Sequence, residues 1–159
     1  MPDMLVRLYN LPKTDELYAE LEAQGITLKR VMTPNYGKVF AFIKETFSEG
    51  WAYEACSAIN HIPSGLFVAY EKTETQKRIV GFAAYDTTAR DFFGPTGVLP
   101  EMRGRGVGKA LLLRTLEAMR DDGYGYAIIG GVGPQEFYRK CCGATLIEDS
   151  SPGIYKDLF

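Results

Sequence analysis

The chain has 159 residues, 46% of them hydrophobic and 24% charged, with a formal net charge of −2 at pH 7. That length suffices for one domain with a real hydrophobic core, and the slight acidity argues against a general nucleic-acid or anionic-membrane binder. Three cysteines without C-x-x-C spacing (Cys56, Cys141, Cys142) and a single histidine, His61, argue against a disulfide frame, a zinc site or a multi-histidine metal centre.

Residues 4–9 read as a short strand, and 13–24 as a helix with Leu17 and Leu21 four apart and Gly25 as its stop. Residues 26–32 alternate apolar and polar side chains, as a strand does. Thr33-Pro34 starts a helix to about residue 47, and another runs over 51–60. Residues 66–70 and 79–86 are the next strands, joined by a charged turn. Residues 92–99 form a strand interrupted by Gly94-Pro95; proline cannot donate to a ladder, so an edge, bulge or bend is predicted there. A helix over 106–121 gathers Val107, Leu111, Leu112, Leu116, Ala118 and Met119 on one broad face, with Lys109, Arg114, Glu117, Arg120 and Asp121 opposite. Residues 126–131 are a short buried strand. Pro134 and Gly143 bound a helix over 134–142. Residues 144–148 and 154–158 are predicted to pair as a terminal hairpin. Strands alternating with helices give a mixed α/β sheet.

Chemistry concentrates in Val98-Leu-Pro-Glu-Met-Arg-Gly-Arg-Gly-Val-Gly-Lys109. Gly104, Gly106 and Gly108 let the backbone turn sharply just before a helix whose first N–H groups have no internal partner. Those groups sit at the positive end of the helix dipole, and Arg103, Arg105 and Lys109 add charge, so a phosphate-bearing ligand is expected. A P-loop needs Gly-Lys-Ser/Thr, but Ala110 follows Lys109, and Arg103 stands where the first glycine belongs. A dinucleotide fingerprint needs G-x-G-x-x-G early in a βαβ unit, whereas G-x-G-x-G lies in the second half here.

Arg103-x-x-Gly106-x-Gly108, after Val98-x-Pro100-Glu101, resembles the pyrophosphate-binding motif of the GCN5-related N-acetyltransferases, an acyl-CoA-dependent superfamily. Further segments resemble that family in order. Residues 79–85 resemble its central strand, helix 106–121 its cofactor helix, 126–131 its next strand, and Phe137-Tyr138-Arg-Lys140 with Gly143-Ala144 its late element. The likeness covers 26–159, leaving 1–25 as an N-terminal strand–helix extension of one N-acetyltransferase-like domain, 1–159. It implies a single-domain, mostly antiparallel central sheet flanked by helices, with splayed central strands. It also implies acetyl-CoA, or another acyl-CoA, as co-substrate without a metal.

The implied activity is transfer of an acetyl group to a primary amine of a small molecule or peptide by direct attack. A catalytically silent acyl-CoA-binding sensor or interaction module is the alternative. The implied cofactor contacts are Val98, Leu99, Arg103, Gly104, Arg105, Gly106, Val107, Gly108, Lys109 and Tyr138, with a backbone N–H near Val98 facing the thioester carbonyl. Tyr138 is the expected acid for the leaving thiolate, since a phenol of pKa about 10 can protonate a thiolate near 8.5. No carboxylate lies in residues 92–97. Asp86 is the nearest candidate base, with Asp91 beside it, and a plain turn role is open for both. Where the family often has an asparagine contacting the pantetheine arm, this chain has Gly131. Tyr36, Phe40, Trp51 and Tyr53, with Glu49 and Glu54, could line an amine pocket or simply pack in the core. No run reaches the ~18 apolar residues of a membrane span, and the start lacks the build of a signal peptide, so a cytoplasmic location without membrane or nucleic-acid partners is expected. A homodimer is compatible with this.

Overall fold

Seven strands form one sheet in the computed structural model, which describes residues 1–159. They are β1 (Met4–Arg7), β2 (Ile26–Arg30), β3 (Leu66–Lys72), β4 (Lys77–Tyr85), β5 (Phe92–Val98), β6 (Tyr126–Ile129) and β7 (Thr145–Leu146), in the spatial order β2-β3-β4-β5-β6-β1-β7. Only β5 and β6 run parallel; every other neighbouring pair is antiparallel. Five helices flank the sheet: α1 (Asp15–Ala23), α2 (Tyr36–Thr46), α3 (Glu49–Ser57), α4 (Val107–Asp121) and α5 (Gln135–Cys142). This is the mixed, mostly antiparallel α/β architecture expected from the sequence.

The period-2 alternation of the strands sorts their side chains into two cores. Phe67, Ala69, Ala83 and Tyr85 join α4, β1, β6 and α5 in the larger one. Leu66, Val68, Phe82 and Ala84 face α2 and α3 in the smaller. Every apolar residue assigned to the inner face of α4 is buried, and Leu113 with them. Each large aliphatic side chain so buried is worth roughly 1.5–3 kcal/mol, so packing along this face fixes the helix.

The pairing of β5 creates the site. Its ladder with β4 runs Gly81↔Val98, Phe82↔Gly97 and Ala83↔Thr96, then slips so that Tyr85 meets Phe93. The slip falls on Gly94-Pro95, where proline has no hydrogen to donate, as the sequence predicted. On its other side β5 pairs with β6 only at Phe92 and Phe93. Beyond that point the two parallel strands diverge, leaving a notch between them.

One prediction is overturned. Residues 154–158 do not return as a strand; Gly153–Tyr155 is a single 3-10 turn. β1 occupies the place beside β7 instead, with Met4 opposite Leu146 on one side and Ile129 on the other. Burial explains the choice: Met4 and Val6 are completely enclosed, whereas Ile154 and Leu158 stay exposed. The N-terminal extension thus supplies an inner strand.

Candidate active site

A cleft of about 810 Å³ opens at the notch between β5 and β6 and extends to the N-terminus of α4. Gly106 caps that helix with φ 87°, a left-handed conformation glycine adopts without penalty, and supplies no side-chain acceptor. The first intrahelical bond goes from the Ala110 N–H to the Gly106 carbonyl. The N–H groups of Val107, Gly108 and Lys109 therefore have no helical partner. Gly104, with φ 77°, turns the chain ahead of them.

Arg103, Gly104, Gly106, Gly108 and Lys109 line this end of the cleft, and no Asp or Glu does. The donors present are thus cationic or backbone N–H, a set that fits a diphosphate. A Cβ built on Gly108 would lie 3.6 Å from a Val98 methyl and 3.8 Å from the Phe137 ring, so Val98, Gly108 and Phe137 enclose one narrow stretch of the groove.

Val98 also lines the cleft. The Leu99 N–H bonds the Val80 carbonyl at 2.9 Å. Alternation along an antiparallel ladder then turns the Gly97 N–H toward β4 and the Val98 N–H away from it, into the notch. On the opposite wall stands Tyr138 of α5, 7% exposed. Its ring packs edge-on to Phe137 at 5.1 Å and Phe93 at 6.4 Å. Burial, seconded by Cys142 and Cys141, pushes its pKa up to about 12, so the phenol keeps its proton at neutral pH.

Of the residues singled out from sequence, the structure brings Val98, Arg103, Gly104, Gly106, Gly108, Lys109 and Tyr138 together. Three others belong to the loop without facing the cleft. The Val107 side chain is buried in the core. Leu99 spends its N–H on Val80. Arg105 turns outward, donating to Gln24 at 3.1 Å and to the Met102 sulfur at 3.2 Å.

Asp86 is not brought to the cleft. Its carboxylate closes the β4–β5 turn, accepting from the Asp91 N–H at 2.7 Å and the Tyr124 hydroxyl at 2.8 Å. Asp91 leaves one buried oxygen without a partner, and desolvation plus the Asp86 charge push its pKa up to about 6.

Gly131 lines the cleft with φ 56°. Its N–H is taken by the Asp3 carboxylate at 2.9 Å, and the next N–H, of Val132, by the Pro2 carbonyl at 2.8 Å. The N-terminal segment thus shapes the 130–133 wall, a contribution no local pattern announces.

A second chamber, about 540 Å³, adjoins the first across Trp51, Phe93, Gly94, Pro95, Gly130 and Gly131. Of the aromatic and acidic residues suggested for an amine pocket, only Trp51 and Glu54 reach it. Phe40 instead packs between Tyr36 and Tyr53, with ring centroids 6.1 and 5.2 Å away, and Glu49 pairs with Lys44 at 3.0 Å. Thr88 and Tyr155, which the sequence did not flag, also line it, as do Leu158, Ser151 and Met1.

No group of three or more His, Cys, Asp or Glu could hold a metal, and the three cysteines are free and buried. No helix is long and apolar enough to cross a membrane.

Comparison with known proteins places this geometry. The model of the acetyltransferase (GNAT) family matches residues 33–144. No curated protein matched the sequence. Among solved structures, the chain superposes on a GCN5-related glucosamine N-acetyltransferase region of a fungal multi-domain GH3 beta-N-acetylglucosaminidase. There the TM-score is 0.74 at 16% identity, over 92% of this chain and 19% of that one. A GCN5-related N-acetyltransferase from Sphaerobacter thermophilus gives 0.70 at 22% identity, over 92% of this chain and 48% of that one. A GNAT family acetyltransferase from Brucella melitensis, solved with acetyl-CoA, gives 0.52 at 16% identity, over 78% and 88% of the two chains. The chain therefore spans less than half the length of the first two.

Proposed function

The chain belongs to the acetyltransferase (GNAT) family, and on that premise we propose that residues 1–159 form one acyl-CoA-dependent N-acyltransferase domain that moves acetyl from acetyl-CoA to a primary amine. The observation that carries the proposal is the uncapped N-terminus of α4, flanked by Arg103 and Lys109, opening into a cleft that leads to the notch beside Val98 and to Tyr138. Neither a plain strand-to-helix turn nor a P-loop needs that continuation.

Each residue then has a definite task. The N–H groups of Val107, Gly108 and Lys109, with the Arg103 and Lys109 side chains, hold the diphosphate. The Val98 N–H faces the thioester carbonyl and stabilises the oxyanion that forms there; a donor so placed is worth about 3 kcal/mol in the transition state. A neutral amine attacks, so its C–N bond forms as the C–S bond breaks, and its surplus proton leaves to water. Tyr138 keeps its proton and donates a hydrogen bond to the departing sulfur as negative charge develops there, and the CoA thiolate takes up a proton from water. Arg105 and Asp86 act from behind, the first bracing the loop to Gln24 and the second closing the β4–β5 turn.

Thermal stability with acetyl-CoA and with ATP tests the cofactor assignment. Acetyl-CoA at about 100 Kd should add ~2.7 kcal/mol, several degrees of Tm at this size. A rise with ATP alone would sink it. Thiol release across an amine panel tests the reaction: acetyl-CoA binding without release above background by any amine would make the chain a silent acyl-CoA-binding module.

A further inference from the structure

We infer that the second chamber selects compact amines with one ammonium on a flat apolar body, and that Glu54 is the side chain that holds the ammonium. The inference deepens the acyl-transfer reading and rests on it.

Charge is distributed unevenly along the joined cavities. Arg103 and Lys109 stand at the α4 end of the first, and no acid lines it. The second is lined by one carboxylate, Glu54, and by no Lys, Arg or His; its other charge is the Met1 ammonium, which donates to the Ser151 hydroxyl at 3.0 Å. The α4 end favours an anion, and Glu54 is the group of the second chamber that can take a cation.

Helix α3 sets Trp51 and Glu54 three residues apart, hence neighbours on one face. Ser48 fixes the start of that helix by accepting from the Trp51 N–H at 3.1 Å. The Thr88 hydroxyl donates to Oε1 of Glu54, and no protein donor engages Oε2. Trp51, Phe93, Pro95 and Tyr155 supply apolar and aromatic wall, which suits a flat body and favours a cation over a ring face.

The same lining works against polyamines. Their further ammonium groups find no further acid and share the chamber with the Met1 ammonium. The single ammonium is thus the nitrogen to be acylated, and it sheds a proton to water in the open chamber before it attacks.

The test uses the full chain saturated with CoA, and phenethylamine and 2-phenylethanol as probes, with Kd read by calorimetry. The wild-type chain should bind the amine at least about tenfold more tightly than the alcohol, the span expected of one hydrogen bond to a charged group. Glu54→Gln keeps an acceptor for Thr88 but removes the charge. It should weaken the amine about tenfold to a hundredfold and leave the alcohol unchanged, while Glu54→Asp restores part of the preference. In thiol release, phenethylamine should outpace spermidine, and Glu54→Gln should raise KM for the amine. An amine preference that survives Glu54→Gln, or equal weakening of both probes, overturns the inference, as does failure of phenethylamine to bind the CoA-loaded wild type. Amine binding that depends on Glu54 without any thiol release would instead remove the acyl-transfer reading and leave the ammonium site standing.

Discussion

Burial is the first cause of the raised pKa values of Tyr138, in the cleft wall, and of Asp91, in the β4–β5 turn. A phenol at about 12 is a weaker acid than a thiol near 8.5, so full transfer of its proton is uphill even to the free thiolate. Its contribution comes as negative charge develops on sulfur, through a hydrogen bond that phenylalanine cannot make. Tyr138→Phe should therefore lower kcat about a hundredfold while acetyl-CoA still raises Tm as in the wild type. Unchanged turnover would remove the tyrosine from the chemistry. Because the phenol stays protonated to about pH 12, any alkaline fall in rate at lower pH belongs to another group. Asp91 is shifted in the same direction, its ionised form being disfavoured in the fold. The folded chain binds that proton more tightly than the unfolded one, so stability from this residue is full below about pH 4 and is lost as pH rises through about 6. Asn tolerates the left-handed φ of 68° found there. Asp91→Asn should accordingly raise Tm at pH 7.5 and lose that advantage by about pH 4; a pH-independent difference would contradict the assignment.

At the scale of elements, the loop before α4 is held from two sides that divide its three cations by task. Arg103 and Lys109 line the cleft. Arg105 points back to Gln24 at the end of α1, and a Leu17 methyl sits 3.2 Å from where a Cβ on Gly106 would lie. Helix α1 thus backs the loop proposed to hold the diphosphate without lining the cleft. Arg103→Ala should weaken acetyl-CoA about tenfold, with the loss shrinking at high salt as screening sets in. Arg105→Ala should leave that affinity within about twofold, because an exposed contact is worth little. Equal losses for both variants in titrations at two salt concentrations would refute the division. Sequence reading recognised the loop because its signal is local: glycines, cations and an apolar helix face lie within one short stretch. It could not separate Arg103 from Arg105, since their directions depend on Gln24, far away in the chain.

Across the whole molecule, what stayed illegible is what depends on contacts distant in sequence. The inner face of α4 and the irregularity at Gly94-Pro95 follow from periodicity and from proline's missing donor, and both are present. The β1–β7 pairing was missed because the sequence marks 4–9 and 144–148 as strands without naming their partners, and 154–158 lay closer along the chain. Glu54 could be noticed, but not its meeting with Thr88 and Tyr155. The same long-range packing ties stability to the site. Asp3, at 6% exposure, donates its own N–H to the Ser150 hydroxyl oxygen and accepts from the Ile147 N–H on its carbonyl and from the Gly131 N–H on its carboxylate. Replacing it by alanine strands that last donor at the cleft wall, which costs about 1–3 kcal/mol. Pro2 would still hold Val132, so the wall should loosen without collapsing. Asp3→Ala should therefore lower the urea midpoint by that amount and raise KM for acetyl-CoA, although Asp3 is not among the residues lining the cleft. Asp3→Asn, which keeps an acceptor, should recover most of both, and a loss of stability with KM unchanged would show that the 130–133 wall is positioned without help from the N-terminal strand.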